Sequence, residues 1–222
     1  MKKLLFVMAT VVLTAGVASA QNALIDFQGY SYETGGFQPS NLGDVLSIVG
    51  VVDALDVRFG VNLGTEEVTV YVTGLLSGGE VPVGGGIVQI AYAGGTIDMY
   101  RDPSQDHDYG VNPPNATAPP TFVNGSLFLG GTLSSFFLYY DTTTGSGAYE
   151  ANANFTAGSG LATLNLINAT GYTFGGVLND ATAAGNVPQG YDLQVDGVVE
   201  VRVPVAVQDK SWSAVKGLYS NR

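Results

Sequence analysis

Short runs of Val, Ile, Thr, Tyr and Phe that alternate with clusters of glycine constrain the fold of this chain more than any other feature. Glycine adopts the backbone angles of tight turns, whereas β-branched and aromatic residues favour strands. The 31 glycines of the 222-residue chain include pairs or triplets at 35–36, 78–79, 84–86, 94–95, 130–131 and 175–176. Between residues 21 and 208, no stretch keeps a helical apolar period for three turns. The pattern predicts an all-β domain with many strands.

Two segments show which residues share a face of the predicted sheet. Residues 68–73 alternate valine with threonine and tyrosine, and residues 149–155 alternate tyrosine, alanine and phenylalanine with glutamate and asparagine. Because successive side chains of a strand point to opposite faces, each segment has one packed face and one face in water, which is typical of antiparallel sheets. We therefore predict a mostly antiparallel β-sandwich, of which the jelly roll is one arrangement.

The segment 191–203 is predicted to form one long strand. Asp196-Gly197 favours a two-residue hairpin turn, but that turn would pair Val195 with Val198 and bring polar residues onto the apolar face. Every odd position from 191 to 203 is instead apolar or glycine. This unbroken phase predicts a single strand that bends or bulges at Gly197 and ends at Pro204.

The first 20 residues are typical of a bacterial export signal. Two lysines open it, residues 4–17 are mostly apolar, and the sequence Ala-Ser-Ala at 18–20 suits cleavage. The mature chain would begin at Gln21, with a single β domain over 21–207 and a tail or short C-terminal helix over 208–222. No later segment is long and apolar enough to span a membrane as a helix. We therefore expect the protein in the periplasm, at the cell surface or outside the cell.

Charge and cysteine content exclude several classes of function. Loss of the signal would remove two of the eight basic residues and leave 19 acidic ones, which is a net charge of −13. Such a chain repels the phosphates of nucleic acids and anionic lipids. Since the sequence contains no cysteine, it has no disulfide, thiolate metal site or thiol nucleophile.

The stretch MYRDPSQDHDYGVNPPNATAPP, residues 99–120, holds three aspartates within seven positions and the only histidine of the chain. Oxygen donors at alternate positions beside a glycine suit calcium, which takes six to eight oxygen ligands. The candidate ligands are Asp102, Asp106, Asp108 and Asn112. The match to a standard calcium loop is incomplete, because Gly110 is fifth rather than sixth when counted from Asp106. The alternative is an ordered surface connection, since Asp, Asn, Pro and Gly are common in such loops. No other cofactor is predicted.

Catalytic residues are scarce, and we predict that the protein is not an enzyme. A Ser-His-Asp site would have to use His107, which stands in a proline-rich loop, and the chain has no G-x-S-x-G nucleophile motif. A zinc enzyme would need a second histidine or a cysteine. Glycoside hydrolysis needs only two carboxyl groups, for which Glu150 in its alternating strand is the best placed.

Several aromatic residues are candidates for a platform that stacks on sugar rings. They are Tyr71, Tyr139, Tyr140, Tyr172 and Trp212. Adjacent tyrosines on a strand point to opposite faces, so only one of Tyr139 and Tyr140 can lie on such a platform. The alternative is that these rings pack across strands within the fold.

The C-terminal tail has the pattern W-x-x-hydrophobic-K-x-hydrophobic-aromatic. Its residues are Trp212, Val215, Lys216, Leu218 and Tyr219. Together with the loop NPPNAT at 112–117 and the following TFVNGSLFLGG, the chain resembles a loose group of uncharacterised secreted bacterial proteins with a glycine-rich β domain. The resemblance implies export and a β fold, and it implies no catalytic residue.

We predict an exported, non-enzymatic binding or structural module, with a glycan or a surface protein as its partner. Unpaired sheet edges would also allow assembly between copies of the chain. Three alternatives remain open: a calcium-dependent glycan-binding module, an outer-membrane β-barrel and a glycoside hydrolase. The outer-membrane barrel shares the export signal, the glycines and tyrosines and the lack of cysteine.

Overall fold

Eight antiparallel strands close into a barrel in the computed structural model, which describes residues 23–110, 119–167 and 171–202. Each strand pairs with its neighbours in sequence, and the last strand closes the ring by pairing with the first. The strands are β1 (Ala23–Glu33), β2 (Val45–Leu55), β3 (Glu67–Gly84), β4 (Ile87–Asp102), β5 (Ser126–Asp141), β6 (Ser146–Ala157), β7 (Gly171–Asn179) and β8 (Leu193–Arg202). Short helices lie in the connections: α1 (Leu161–Asn165), α2 (Ala181–Ala184) and the 3-10 turns Val57–Phe59 and Pro120–Phe122.

The prediction of an all-β fold is confirmed, but the prediction of a sandwich is wrong. Sandwiches and barrels both alternate apolar and polar residues along their strands, so this pattern does not separate them. Pairing separates them: here every strand hydrogen-bonds to the strands before and after it, so the sheet has no break at which two layers could form. Register shifts in most of the strand pairs add the local bends that curl the sheet.

Both segments with clear faces form strands. In β6 the apolar residues from Tyr149 to Phe155 are buried, while the glutamate and asparagines between them face outward. β8 is one continuous strand rather than a hairpin, and its odd positions are buried from Leu193 to Val201. No bulge is present at Gly197, because the pairing of β8 with β1 stays in register there and shifts only beyond Val199.

Side chains fill the inside of the barrel. Phe27 stacks on Phe174 with ring centroids 5.7 Å apart, and Phe136 stacks on Tyr149 at 5.5 Å. Glycine at position 197 leaves the space for two of these rings, since a Cβ there would lie 2.3 Å from Phe27 Cζ. The interior of an eight-stranded barrel is either filled by side chains or holds one small ligand. Because side chains fill it here, the candidate binding surfaces are the outer wall and the loops.

Loops close both ends of the barrel. At one end, the β1–β2 loop places Phe37 against Tyr140 with centroids 5.1 Å apart. At the other end, Phe59 packs on Phe128 at 5.3 Å, and Leu164 of α1 is buried. The core is therefore continuous from end to end.

Four predicted features lie outside the described residues: the export signal at 1–20, the candidate ligand Asn112, the end of the last strand at Pro204 and the tail at 208–222. Within the described ranges, no helix is long and apolar enough to cross a membrane.

Candidate functional site

Two regions of the outer wall gather functional side chains. The β4–β5 connection covers the outer faces of β1, β2 and β3, whereas a groove crosses the outer faces of β5 to β8. Strands four positions apart lie opposite each other in an eight-strand ring. The two regions therefore lie mostly on opposite sides of the barrel and approach each other only where β8 adjoins β1.

The first region is a loop segment that we call the clasp, comprising residues 103–110 and 119–125. The ring of Tyr109 lies 4.8 Å from Tyr30 and 4.9 Å from Phe122, measured between centroids. Its hydroxyl donates to a carbonyl of β1 at 3.0 Å. These rings belong to a second apolar cluster, outside the barrel, whose buried members are Tyr32, Val49, Phe122 and Tyr191. The clasp is thus packed onto the wall as part of the fold.

Glu67 anchors the clasp to the start of β3, and its side chain is only 4% exposed. Oε1 accepts the backbone N–H groups of Asp106 and His107, both at 3.1 Å. His107 Nδ1 lies 2.6 Å from Oε2. The buried carboxylate is therefore satisfied by the clasp, and His107 serves to hold this loop.

The structure brings the predicted calcium ligands together only in part. Asp102 and Asp106 lie beside Glu67, and the ligand oxygens of these three residues are within 4.8 Å of one another. Asp108 is not in this cluster, and its Oδ1 accepts the N–H of Gly110 at 2.8 Å. The cluster therefore contains two of the four predicted ligands and one acid from a distant part of the sequence.

Hydrogen bonds already occupy much of this acidic cluster. Asp102 Oδ1 accepts the N–H of Ser104 at 2.7 Å. Asp106 Oδ1 accepts from Asn124 Nδ2 at 3.1 Å. A calcium ion takes six to eight oxygens at short range and would have to replace several of these bonds and those of Glu67. The described hydrogen bonds therefore indicate that this cluster fixes the position of the clasp, rather than that it binds a metal ion.

Replacing Glu67 with alanine is expected to lower the free energy of unfolding by about 2 kcal/mol, because two backbone N–H groups and His107 lose their acceptor. Urea unfolding measures the loss, and amide hydrogen exchange of the clasp should rise. Asp108→Ala is the matched control, since Asp108 lies in the same loop and its carboxylate accepts, among the described residues, from the nearby N–H of Gly110. Equal stability of the Glu67→Ala variant and the wild type would show that the clasp is anchored elsewhere.

The second region depends on a bulge in β5. Leu133 points inward, and simple alternation would send positions 135, 137 and 139 inward as well. Instead, Ser135 adopts a φ of 53°, and two residues of β5 face one residue of β6. The phase of the strand is reversed beyond this point, so that Phe136 enters the core while Phe137 and Tyr139 face outward.

Beside these two rings lies a groove of about 570 Å³. Phe137 and Tyr139 form one side of the groove, with 41% and 47% of their surfaces exposed. Ala148, Glu150 and Arg202 also line the groove. An adjoining depression of about 350 Å³ continues across β7 and β8, where Gly175 keeps the surface low. Together they have the dimensions of a ligand site.

Polar side chains around the groove are held in place by hydrogen bonds. Arg202 Nε donates to Thr173 Oγ1 at 2.8 Å, and its guanidinium lies 3.7 Å from Glu150 Oε1. Gln89 Nε2 donates to the Tyr139 hydroxyl at 2.8 Å. Because Glu200 lines the adjoining depression, the described charges are two acids and one base. The groove is therefore mildly negative.

The structure separates the predicted sugar-stacking residues. Tyr139 lies in the groove, whereas Tyr140 points into the barrel and is 1% exposed, as expected for neighbours on a strand. Tyr71 packs beneath the clasp, and Tyr172 packs on Phe155. Trp212 lies outside the described residues.

Glu150, the predicted candidate acid, does line the groove. Sequence reasoning missed Phe137 and Arg202 as members of the site. The signal for Phe137 was the Ser-Ser pair at 134–135, which interrupts the apolar pattern and marks the bulge.

The chain matches no protein-family model, no curated protein and no solved structure. The resemblance to secreted bacterial β proteins therefore stays a prediction. The function has to be inferred from the chemistry of the site itself.

Proposed function

We propose that the protein is an exported, non-enzymatic binding module that holds its ligand in the groove on β5 to β8. The observation that carries the proposal is the outward-facing pair Phe137 and Tyr139. Large aromatic side chains exposed beside a depression favour binding, because their burial by a ligand releases water from a wide apolar surface. The bulge that exposes them holds Ser135 in a left-handed conformation, at a local cost of about 1 kcal/mol that a regular strand would avoid.

The outer-membrane alternative shares the closed ring of eight strands, and the fold fits it to that extent. The lipid-facing wall of such a barrel is apolar, and its interior is polar. Here Asp26, Asp98, Glu150 and Asp196 point outward, whereas apolar side chains fill the interior. This distribution favours a wall that faces water.

Glycoside hydrolysis is the weaker interpretation of the groove. The reaction requires one carboxyl group that holds a proton to donate to the leaving oxygen, which burial in an apolar pocket provides. The Glu150 side chain is 71% exposed and faces the Arg202 guanidinium. Such a carboxylate is suited to accept hydrogen bonds from a bound ligand.

Assembly through sheet edges loses most of its basis once the barrel is closed. The longest unpaired edge of the described residues runs from Gly79 to Gly84 in β3, beyond the partners of this strand in β2. Pro82 lies within it and lacks the N–H that a further strand would need. Proline on an edge is a common block to pairing between molecules, so we favour ligand binding over assembly.

Export is tested by N-terminal sequencing of the protein recovered from the periplasm or medium of a bacterial host. We expect a chain that begins at Gln21, because the Ala-Ser-Ala at 18–20 provides the cleavage site. Protein that stays in the cytoplasm with residues 1–20 attached would contradict the proposed export.

Calcium dependence is tested by thermal unfolding in EDTA and then in millimolar calcium. We expect no change in the midpoint, because hydrogen bonds already satisfy Glu67 and Asp102. A rise in the midpoint with calcium that disappears in the Asp102→Asn/Asp106→Asn variant would overturn this expectation. It would restore the calcium-dependent alternative.

Use of the groove is tested by NMR with isotope-labelled protein and separate mixtures of oligosaccharides, short peptides and small aromatic acids. We expect at least one mixture to shift amide signals of β5 and β6 around Phe137 and Glu150. These shifts should be lost in the Phe137→Ala/Tyr139→Ala variant. If no mixture changes these signals, the groove is not a binding site.

A further inference from the structure

We infer that the groove binds an uncharged polysaccharide chain without the help of calcium, an inference that rests on the proposed binding function. The first support is the arrangement of the rings. Phe137 and Tyr139 are successive outward residues of one strand, so they stand about 7 Å apart along it. Sugar rings have apolar C–H faces that pack on such side chains, and rigid aromatic rings lose little entropy when they are covered.

The polar groups beside the rings match the hydroxyl edges of sugars. A sugar hydroxyl both donates and accepts, so it needs acceptors and donors within a short distance. The groove offers the Glu150 carboxylate as acceptor, the Arg202 guanidinium as donor and the Asn152 amide as both. Two further contacts hold this set in place: Arg202 is fixed by Thr173, and the Tyr139 hydroxyl by Gln89. Such preorganisation lowers the entropy lost on binding.

Charge decides between neutral and acidic ligands. The described groove has Glu150 and Glu200 against Arg202, and Arg202 already lies 3.7 Å from the Glu150 carboxylate. A uronate or phosphate group would meet two carboxylates against a single guanidinium, whose charge Glu150 already balances. The strongly acidic chain adds long-range repulsion of polyanions. The ligand is therefore uncharged.

The shape of the groove favours an extended chain of sugars over a peptide. From β5 to β8 it crosses three strand spacings, about 14 Å, and the adjoining depression continues its course. Each of these strands is paired on both sides, so no free edge is present in this wall to bind a peptide as an added strand. The acidic cluster lies where β3 begins and β4 ends, beside Ser126 at the start of β5. Ser126 is about 30 Å along the strand from Ser135 in the groove, so a calcium ion there could not contact a sugar in the groove.

Native affinity electrophoresis tests the inference, because the acidic chain migrates readily in gels. The full chain is run through gels that contain soluble xylan, soluble starch, hydroxyethyl cellulose, polygalacturonate or gelatin, each with EDTA. We expect at least one of the three neutral polysaccharides to retard the protein, and polygalacturonate and gelatin to have no effect. Tyr139→Ala should weaken the retardation about tenfold in apparent affinity, and Phe137→Ala/Tyr139→Ala should abolish it.

Leu76→Ala is the matched control, because Leu76 has a similar exposed fraction of 50% but lies on β3, away from the groove. It should migrate like the wild type. Glu150→Gln should keep most of the binding, since an amide oxygen still accepts a hydrogen bond.

The results separate this inference from the proposed function. Retardation by gelatin or polygalacturonate alone, if lost in the double variant, would overturn the choice of ligand but keep the groove as a binding site. Retardation by a neutral polysaccharide that the double variant retains would show that sugars bind elsewhere. Absence of retardation in every gel would overturn the inference, and the NMR experiment would then decide whether the groove binds at all.

Discussion

Replacing Gly197 with alanine is expected to lower the free energy of unfolding by about 3 kcal/mol or to prevent folding altogether. A Cβ at this position would lie 2.3 Å from Phe27 Cζ and 2.4 Å from the Tyr149 hydroxyl oxygen. Both rings are buried and stacked, on Phe174 and Phe136 respectively. Neither ring can move without displacing its partner, because protein interiors are close-packed. Urea unfolding followed by circular dichroism measures the loss.

A control and a rescue separate overpacking from a general intolerance of alanine. Gly171→Ala should have little effect, since the nearest atom to its added Cβ is Arg202 Cδ at 3.8 Å. Phe27→Leu removes the ring atoms closest to position 197, so the double variant Phe27→Leu/Gly197→Ala should be more stable than Gly197→Ala alone. If the two substitutions simply add their losses, contact with Phe27 is not the cause.

Individual strands, and the faces on which their side chains lie, could be predicted from the sequence. The phase of positions 191–203 predicted a single strand against the strong turn preference of Asp196-Gly197, and β8 confirms it. The role of Gly197 was different from the one expected. It forms no bulge and instead makes room for Phe27, a contact between the first and last strands that no local pattern contains.

The closure of the sheet could not be predicted, because sandwich and barrel share the same alternation of side chains. In the acidic cluster, too, sequence spacing predicted some members, whereas another is brought in only by the pairing of distant segments. Asp102 and Asp106 were recognisable from their spacing, but Glu67 joins them only because β3 and β4 form a hairpin that pairs it with Asp102. The glycine triplet at 84–86 was the signal for that hairpin.

The aromatic side of the groove could not be predicted, because it depends on the bulge at Ser135 in β5. Regular alternation places Phe137 and Tyr139 inside the barrel, and the left-handed Ser135 places them outside. The choice between core packing and a platform for sugar was therefore undecidable until the position of the bulge was known.

Stability should also depend on pH through Glu33, whose side chain is fully buried at one end of the barrel. Its Oε1 accepts from Ser40 Oγ at 2.7 Å and from the Tyr92 hydroxyl at 3.4 Å, while Oε2 has no partner among the described residues. The pKa of this carboxyl is raised from 4.5 to about 7, mainly by burial and in smaller part by the charges of Asp44 and Asp192. The Ser40 and Tyr92 hydroxyls act in the opposite direction.

Since Glu33 holds its proton more tightly in the folded chain, its contribution to stability is complete below pH 4.5 and is lost as the pH rises through about 7. The loss amounts to about 3 kcal/mol. Glu33→Gln stays neutral throughout, so we expect its free energy of unfolding to rise relative to wild type by about that amount over this range. Urea unfolding at a series of pH values measures the difference between the two proteins.

Asp56→Asn provides a control of opposite sign. Hydrogen bonds from Arg58 lower the pKa of Asp56, so this carboxylate stabilises the fold above pH 3.8 and loses its effect in more acidic solution. The Asp56→Asn variant should therefore be weaker than wild type near neutrality and approach it in acid, whereas Glu33→Gln gains on wild type towards neutrality. A constant difference between Glu33→Gln and wild type from pH 4.5 to 7 would contradict late ionisation of Glu33. A neutral substitution changes the slope of the free energy of unfolding against pH only where the native carboxyl has different pKa values in the folded and unfolded chains. With a constant difference, the glutamine at position 33 would therefore act only through its own hydrogen bonds.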